Sequence, residues 1–491
     1  MSFISLDFVV FFAVFFSVYF FLPHKGKLLW LFLSSLFFYG YFKWEYVFLI
    51  LFSLILDYSV ARIMGRTEAK TGRKLLLLIS LSANLGLLFF FKYFNFTADS
   101  ITQIFNYFGG DATAPAINVL LPIGISFYTF QTMSYTIDVY RQKLEPEPSL
   151  LNFATYVVMF PQLVAGPIER ATNILPQLRG NLDFDVNRTV LGLQLILVGA
   201  FQKVVIGDRV GRYVDVVYTS VDDYGWFALA FATVLFGIQI YCDFSGYSSI
   251  AIGIAKIMGI DLMENFRQPY LAKSFREFWQ RWHISLSTFF RDYVYIPLGG
   301  NRITLKRTIG NTLIVFLLSG LWHGAAWTFV IWGAIHGLVI ALELLWTRRK
   351  QLNNQSPAET STPVWQIILQ TLGTFSLVMF SWLFFRANSL GDALGIIQSI
   401  GQFQSGVINW YMPFENIAPR LWSGQFELVI SISLVILLLL TDAVLVYRPQ
   451  WIKKVLSYTL TRWTLYYVAS ILIIISFSIY DIKSTFIYFQ F

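Results

Sequence analysis

The sequence predicts an all-α polytopic membrane protein, and three observations on its composition and patterning support this. Of its 491 residues, 56% are hydrophobic and only 13% are charged, whereas a soluble domain carries about 25% charged residues. Apolar runs long enough to cross a bilayer recur along the whole chain. No polar stretch is long enough to form a separate soluble domain. We therefore expect residues 1–491 to form a single membrane-embedded domain.

Spanning helices are predicted wherever about 20 mostly apolar residues follow one another. The predicted spans lie near 5–22, 28–42, 46–61, 75–91, 117–137, 189–206, 224–241, 328–346, 363–386, 428–446 and 463–480. Shorter or polar-interrupted segments, predicted to be re-entrant or interfacial helices, lie near 151–168, 246–260, 271–297 and 308–321. Such elements are stable at membrane depth only where protein or a water-filled cavity surrounds them. Their concentration in the middle of the chain indicates a site there.

Lysine and arginine concentrate in short segments at 62–74, 348–350 and 448–454. The positive-inside rule places these segments in the cytoplasm, which puts both termini outside and favours an even number of about ten or twelve spans. The net charge of +8 is spread over short loops, which argues against nucleic-acid binding. The single cysteine, Cys242, excludes an internal disulfide.

Three of the four histidines, His283, His323 and His336, lie in the central part of the chain. Ionisable residues inside membrane segments are costly and are functional candidates by default, and histidine is suited to acid–base chemistry near neutral pH. Aromatic residues recur every three or four positions over 274–295, which predicts one amphipathic helix with His283 beside its apolar stripe. The alternative is a membrane-surface helix whose histidine reaches the interface.

His323 and His336 each precede a glycine in an almost charge-free stretch. On one straight helix, their spacing corresponds to a rotation of about 220° and a rise of about 20 Å, so they would point apart. They are therefore not expected to form one catalytic pair. Small residues around His323 allow close helix packing or substrate approach. The alternative for either histidine is a hydrogen bond between helices.

Other arrangements that carry chemistry are missing from the sequence. It contains no His-Glu-x-x-His metal motif, no P-loop lysine and no Gly-x-Ser-x-Gly elbow with a credible triad, and no metal site is predicted. Asp243 is an acidic residue in an apolar neighbourhood. It is suited to orienting a histidine or binding a polar headgroup, and the alternative is a structural, hydrogen-bonded carboxylate.

Several motifs resemble those of the membrane-bound O-acyltransferase family, nearest to its bacterial branch that acts in alginate O-acetylation. The segments Trp-Gln-Arg-Trp-His-Ile-Ser-Leu-Ser at 279–287 and Leu-Trp-His-Gly-Ala at 321–325 resemble the two family signatures. Supporting matches lie at 121–131, 160–168, 243–248 and 264–270, so the signature core covers about 120–340. The resemblance implies a ring of about ten to twelve tilted helices, with re-entrant helices, around a central catalytic tunnel.

The resemblance also implies an activity and its residues. His323 matches the essential histidine of the family and His283 matches its second active-site position, while His336 is expected to be a wall or tunnel residue. Acyl transfer from a thioester to a hydroxyl needs a base and a donor that stabilises the oxyanion. We expect His323 to be the base, and His283 to position the carbonyl group or stabilise its charge. Trp282 and Trp322, which precede the two histidines, are further candidates for substrate contact.

Basic residues exceed acidic ones next to these motifs. Between 264 and 307 there are eight Lys and Arg against three Asp and Glu, an excess of five. This excess suits an anionic donor substrate such as acetyl-CoA, with Arg276 and Arg281 as candidate contacts and no bound cofactor expected. The alternative is an ordinary positive-inside bias.

The function expected from the resemblance is transfer of an acetyl group from a cytoplasmic thioester across the bacterial inner membrane to an extracytoplasmic polysaccharide such as alginate. Transfer is either direct or through an extracytoplasmic acetyltransferase partner. Two alternatives stay open. One is a sibling enzyme, acting in peptidoglycan O-acetylation or in D-alanyl transfer to teichoic acid. The other is a non-catalytic lipid or polysaccharide transporter, although the sequence shows no internal repeat of the kind many transporters carry.

Overall fold

The structure, a computed structural model, describes residues 1–118, 120–164, 166–352, 363–419 and 423–480. The tail at 481–491, which the sequence places outside, is not among them. The chain divides into two compact units, of which unit 1 comprises Met1–Ile196 and Tyr247–Met263 and unit 2 comprises Leu197–Gly246 and Glu264–Phe491. The prediction of a single domain stays a prediction.

Unit 1 begins with a series of helices. These are α1 (Leu6–Tyr19), α2 (His24–Gly40), α3 (Tyr46–Arg66), α4 (Lys70–Leu88), a π-helical turn (Phe89–Tyr93), α5 (Phe94–Tyr107), α6 (Ile125–Tyr140), α7 (Leu150–Val158), α8 (Phe160–Leu163), α9 (Ala171–Arg179) and α10 (Val186–Ala200). The last turn of α10, at 197–200, already belongs to unit 2. Helices α3 and α4 share a buried polar contact, in which Ser80 Oγ donates to Asp57 Oδ1 at 2.6 Å and Asn84 Nδ2 donates to Asp57 Oδ2 at 2.9 Å. This network satisfies the buried carboxylate, as buried polar groups require.

Unit 2 carries both signature motifs. Its helical elements are a π-helical segment (Phe201–Gly207), α11 (Asp208–Thr219), a 3-10 turn (Val221–Asp223), α12 (Trp226–Ile257), a 3-10 turn (Pro269–Leu271), α13 (Phe275–Arg281), α14 (Ile284–Phe290), a π-helical turn (Arg291–Tyr295), α15 (Leu305–His323), α16 (Trp327–Leu352), α17 (Val364–Arg386), α18 (Leu390–Gly401), α19 (Met412–Ile417), α20 (Gly424–Tyr447), α21 (Pro449–Ser457) and α22 (Thr459–Tyr480). Helix α12 begins in this unit and continues into unit 1.

Eight helices of the described chain are long and apolar enough to cross a membrane, judged by length and composition. They are Tyr46–Arg66, Lys70–Tyr107, Val186–Thr219, Trp226–Ile257, Trp327–Lys350, Val364–Arg386, Gly424–Tyr447 and Thr459–Ser478. The prediction of an all-α polytopic membrane protein is therefore confirmed. Shorter apolar helices such as Leu6–Tyr19 add to these eight. The count of ten to twelve spans and the ring around a tunnel stay predictions.

Helix α12 corrects one sequence-based expectation. The segments near 224–241 and 246–260 were expected to be separate elements, but the structure joins them in one helix of 32 residues, Trp226–Ile257. The polar residues between them interrupt the apolar run without breaking the helix. In the most apolar 18-residue stretch of this helix, 72% is buried inside the protein. Polar side chains are tolerated there because protein, and not lipid, surrounds them.

Helices α15 and α16 form a closely packed hairpin, and His323 is the last residue of α15 before the turn. A Cβ atom at Gly320 would meet the carbonyl oxygen of Phe329, and a Cβ atom at Gly333 would meet the carbonyl oxygen of Phe316. Neither backbone carbonyl can move without shifting its helix. The two glycines therefore set the distance between the helices, as small residues do at close crossings in membranes.

Gly320→Ala is expected to force these helices apart and to lower both the melting temperature and the activity, because a fixed carbonyl occupies the place of the added methyl group. The control is Gly310→Ala on the same helix, where an added Cβ meets nothing within 4 Å. Thermal unfolding in lipid nanodiscs measures the difference. Equal melting temperatures for the two variants would contradict the proposed role of this crossing.

Candidate active site

His283 lies at a break between helices α13 and α14. The sequence predicted one continuous helix over 274–295, and this prediction is wrong. Trp282 is extended and His283 is left-handed, with φ 43° and ψ 54°. The physical reason is Asn265, whose main-chain and side-chain oxygens accept the N–H groups of Ile284 and Ser285 and so cap α14 from outside the helix. The aromatic periodicity survives the break because both flanking segments are helical.

His323 is the last residue of α15, and Gly324 after it is extended. The ring centroids of His283 and His323 lie 6.4 Å apart, although the two residues are 40 positions apart in the sequence. Both side chains are buried, with 0% and 3% of their surface exposed. The structure therefore brings together the two histidines that the motifs predicted, within one unit.

The surroundings of the two histidines are aromatic. Phe244 lies against His283 at 4.7 Å between ring centroids, and Trp322 contacts both rings, at 5.8 Å from His283 and 5.0 Å from His323. Burial lowers the pKa of His283 from its ordinary value of 6.5 to about 3. His283 is therefore neutral across the physiological range, so it can act by hydrogen bonding and not as a permanent cation.

A cluster of buried indoles adjoins these rings, and we call it the tryptophan cluster: Trp282, Trp332 and Trp382. Trp332 lies 5.0 Å from His323, and Trp382 lies 5.1 Å from Trp282 and 5.8 Å from Trp332, between ring centroids. Within the described residues, the indole N–H groups of all three have no hydrogen-bond partner. Buried polar groups are nearly always hydrogen-bonded. The cluster therefore offers unsatisfied donors beside the histidines.

His336 lies on α16 and is hydrogen-bonded on both sides. Trp279 Nε1 donates to Nδ1 of His336 at 3.2 Å, and Nε2 of His336 lies 2.9 Å from Ser381 Oγ. Since Ser381 Oγ donates its own proton to the carbonyl oxygen of Val378 at 2.7 Å, it accepts from His336. Its ring also packs on Trp332 at 4.6 Å. These contacts fit the expected wall residue and leave His336 no nitrogen for acid–base work.

Asp243 forms an ion pair with Lys203, and Lys203 Nζ also lies 2.6 Å from Asp208 Oδ1. All three side chains are at most 7% exposed. An amine between two carboxylates compensates one of their two buried negative charges. This geometry favours the alternative of a structural carboxylate for Asp243, and its role in substrate binding stays a prediction.

Arg276 and Arg281 lie on α13 next to this site. Arg276 is exposed, and its backbone N–H donates to Glu343 Oε2 at 3.1 Å. Arg281 is half-buried and pairs with Glu277 at 2.6 Å. Arg276 is therefore the more exposed of the two, and contact of either arginine with an anionic ligand stays a prediction.

Sequence reasoning assigned no role to Asn265 or Lys203. Asn265 stood inside the motif at 264–270, and Lys203 was a cation inside a predicted span near 189–206. An ionisable residue in a span is itself a functional or pairing signal, so Lys203 was detectable. Its pairing with Asp243 was not, because Asp243 lies 40 positions away.

The fold and the site together define a multi-pass membrane protein with a buried pair of histidines. The sequence profile of MBOAT, the membrane-bound O-acyltransferase family, matches residues 2–385, and the chain belongs to this family. Its relatives include enzymes that act on three kinds of polymer, and the chain is therefore an acyltransferase. This disfavours the alternative of a non-catalytic transporter.

Three relatives show the range of similarity. A peptidoglycan O-acetyltransferase of Helicobacter pylori is 34% identical over 398 residues, which is 76% of this chain and 73% of the relative. A probable alginate O-acetylase AlgI of Azotobacter vinelandii is 37% identical over 380 residues, which is 76% of this chain and 72% of the relative. A teichoic acid D-alanyltransferase of Streptococcus thermophilus is 29% identical over 281 residues, which is 54% of this chain and 68% of the relative.

Proposed function

We propose that this chain transfers an acetyl group from acetyl-CoA, or from another cytoplasmic acyl thioester, to hydroxyl groups of an extracytoplasmic polysaccharide such as alginate. Transfer is direct or passes through an extracytoplasmic partner acetyltransferase, and the chain lies in a bacterial inner membrane. The observation that carries the proposal is the contact between the buried rings of His283 and His323. Similarity to alginate O-acetylases supports the choice of substrate.

The reaction needs one proton to move. The acceptor hydroxyl oxygen attacks the thioester carbonyl carbon, a C–O bond forms and the C–S bond breaks. His323 takes the hydroxyl proton as the base and returns it to the departing thiolate sulfur, so that an ester and a free thiol result. Imidazole is suited to both steps, because the neutral ring accepts the proton and the imidazolium ring that forms donates it.

Negative charge develops on the carbonyl oxygen during attack, and it needs hydrogen-bond donors. The indole N–H groups of the tryptophan cluster supply donors in a buried setting, where a hydrogen bond to a charged oxygen is stronger than in water. His323 contacts Trp332 of this cluster at 5.0 Å between ring centroids. The site thus holds a base and neighbouring donors.

Arg276→Glu is expected to raise the KM for acetyl-CoA about tenfold, because a charge-assisted hydrogen bond to a phosphate is lost. The value of kcat should change little. Steady-state kinetics in proteoliposomes measures both. The control is Arg448→Glu, an exposed arginine in another segment predicted to be cytoplasmic. Equal KM values for the two variants would mean that positive-inside bias alone explains the charges near the site.

Peptidoglycan is the second candidate acceptor. The H. pylori peptidoglycan O-acetyltransferase covers as much of this chain as the alginate O-acetylase of A. vinelandii, 76% in each case. The described residues of the site do not separate the two polymers. We therefore place alginate first on the higher identity of 37% against 34%.

The test uses the full chain in lipid with acetyl-CoA radiolabelled in the acetyl group. Alginate oligomers, peptidoglycan fragments and buffer alone are compared as acceptors, each with and without a cell extract that contains extracytoplasmic proteins. Label on alginate supports the proposal, and label on peptidoglycan alone replaces it with the second candidate. If no acetyl-CoA is consumed with any acceptor or extract, the proposed donor is wrong.

A further inference from the structure

The backbone around His283 is held by residues 265–267. Ile284 N–H donates to the carbonyl oxygen of Asn265 at 3.1 Å, and Arg267 N–H donates to the carbonyl oxygen of Arg281 at 2.9 Å. His283 itself is left-handed with φ 43°. A residue other than glycine rarely adopts this conformation, and one that does so inside a site indicates a functional constraint. The constraint presents the His283 ring to Asn265.

One atom of the Asn265 side chain is identified by its neighbours. The backbone N–H of Ser285 lies 3.1 Å from it, and the hydroxyl of Ser285 lies 2.9 Å from it. A backbone N–H can only donate, so the atom that faces it is the oxygen Oδ1 and not the amide nitrogen. The same Oδ1 lies 3.3 Å from Nδ1 of His283. Nδ1 therefore carries a proton and donates it.

Burial makes this assignment unambiguous. The pKa of His283 is lowered to about 3, so the ring carries a single proton at neutral pH. With that proton on Nδ1, the other nitrogen, Nε2, bears the lone pair. His283 thus presents a hydrogen-bond acceptor to a substrate, and not a donor.

We propose that Asn265 is a positioning residue that holds His283 in the Nδ1–H tautomer, so that Nε2 accepts a hydrogen bond from a hydroxyl of the acyl acceptor other than the one that attacks the thioester. The inference rests on the proposed function, which supplies that hydroxyl. It changes the role that the sequence suggested for His283. A lone pair cannot stabilise a carbonyl oxygen, so that task passes to donors such as the tryptophan cluster. His283 orients the acceptor through its neighbouring hydroxyl and leaves the proton of the attacking hydroxyl to His323.

Charged groups near His283 are paired with one another. On α12, Asp243 pairs with Lys203, and next to Asn265, Glu264 pairs with Arg267 at 2.7 Å. On α13, Arg281 pairs with Glu277 at 2.6 Å. The titratable side chain in ring contact with His283 is His323, on α15. A change of charge at position 265 is therefore expected to act on the two histidines first.

Nitrogen-15 NMR tests the tautomer without any need for activity. The chain is labelled with ¹⁵N-histidine in lipid, and a His283→Gln variant identifies the signals of His283 among the four histidines. We expect a protonated Nδ1 and a lone-pair Nε2 in the wild type, and loss of this single form in Asn265→Ala. A proton on Nε2 in the wild type would overturn the proposal, whether or not the enzyme is active.

Kinetics tests the consequence. Asn265→Ala should lower kcat about 100-fold with little change in the KM for the donor, since a lost tautomer removes one part of general acid–base alignment. The matched control is Asn311→Ala, which removes another buried asparagine, hydrogen-bonded to the carbonyl oxygen of Leu298 at 3.1 Å. The control should lose stability and keep its kcat.

Asn265→Asp separates positioning from a merely structural role. A carboxylate still accepts the Nδ1 proton, so the tautomer is kept, but its charge raises the pKa of His283 by about one unit or more. Protonation then places a proton on Nε2 and removes the acceptor. As the pH is lowered, the Asn265→Asp enzyme should therefore lose its activity at a higher pH than the wild type does. Two results together would overturn the proposal. The first is a pH profile of Asn265→Asp that coincides with that of the active wild type, and the second is an unchanged kcat in Asn265→Ala.

Discussion

Replacing His323 by alanine is expected to lower kcat for acyl transfer by at least about 10³-fold, because the reaction loses the group that takes the hydroxyl proton. The KM for acetyl-CoA should stay close to the wild-type value, since the lost interaction is made in the transition state. The fold should persist, because His323 ends α15 and packs through ring contacts such as those with Trp332 and Phe385. Release of labelled acetyl groups from acetyl-CoA in proteoliposomes measures the effect.

A second substitution tests whether the activity is lost because alanine leaves a cavity at position 323. His323→Gln fills much of the same space without a basic nitrogen, so it should be as inactive as His323→Ala. His24→Ala is the control, because it removes a histidine that lies in unit 1, near the start of α2. It should transfer acetyl groups like the wild type. An active His323→Gln enzyme would show that position 323 needs volume and not a base.

Replacing Lys203 by methionine is expected to cause the largest loss of stability. The substitution leaves Asp208 and Asp243 buried without their shared cation. Removing one partner of a buried ion pair costs about 3–5 kcal/mol, because a buried charge loses its counter-ion. Thermal unfolding in nanodiscs should show a markedly lower melting temperature and a poor yield of folded protein.

The matched control is Lys256→Met. Lys256 also pairs with a carboxylate, at 2.7 Å from Asp261, but the two side chains are 25% and 50% exposed. Such a pair contributes about 1 kcal/mol or less, because water screens the charges. The triple variant Lys203→Met, Asp208→Asn, Asp243→Asn should regain much of the lost stability. If Lys203→Met and Lys256→Met unfold at the same temperature, the buried cation does not stabilise the fold as we expect.

Several features of the site followed from the sequence. The motifs at 279–287 and 321–325 nominated His283 and His323, and the structure places their rings in contact. The spacing argument that set His336 apart assumed one helix and was wrong in that premise, because His323 ends α15 and His336 lies on α16. The two hydrogen bonds of His336 join it to other helices, and its role as a wall residue stays a prediction. The predicted continuous helix over 274–295 was wrong, because the oxygens of Asn265 cap a new helix after His283. Periodicity indicates which residues share an apolar face of a helix. It does not indicate a hydrogen-bond partner that belongs to another segment of the chain.

The sequence by itself determined the class of this protein, because 13% charged residues and long apolar runs are incompatible with a water-soluble fold. Its motifs also named the family and two histidines. Only the tertiary structure decided what each polar group does. It places Asn265 against Nδ1 of His283 and Lys203 between two carboxylates. Hydrogen bonds and ion pairs between distant segments depend on how the helices pack, and no local pattern of residues encodes that packing.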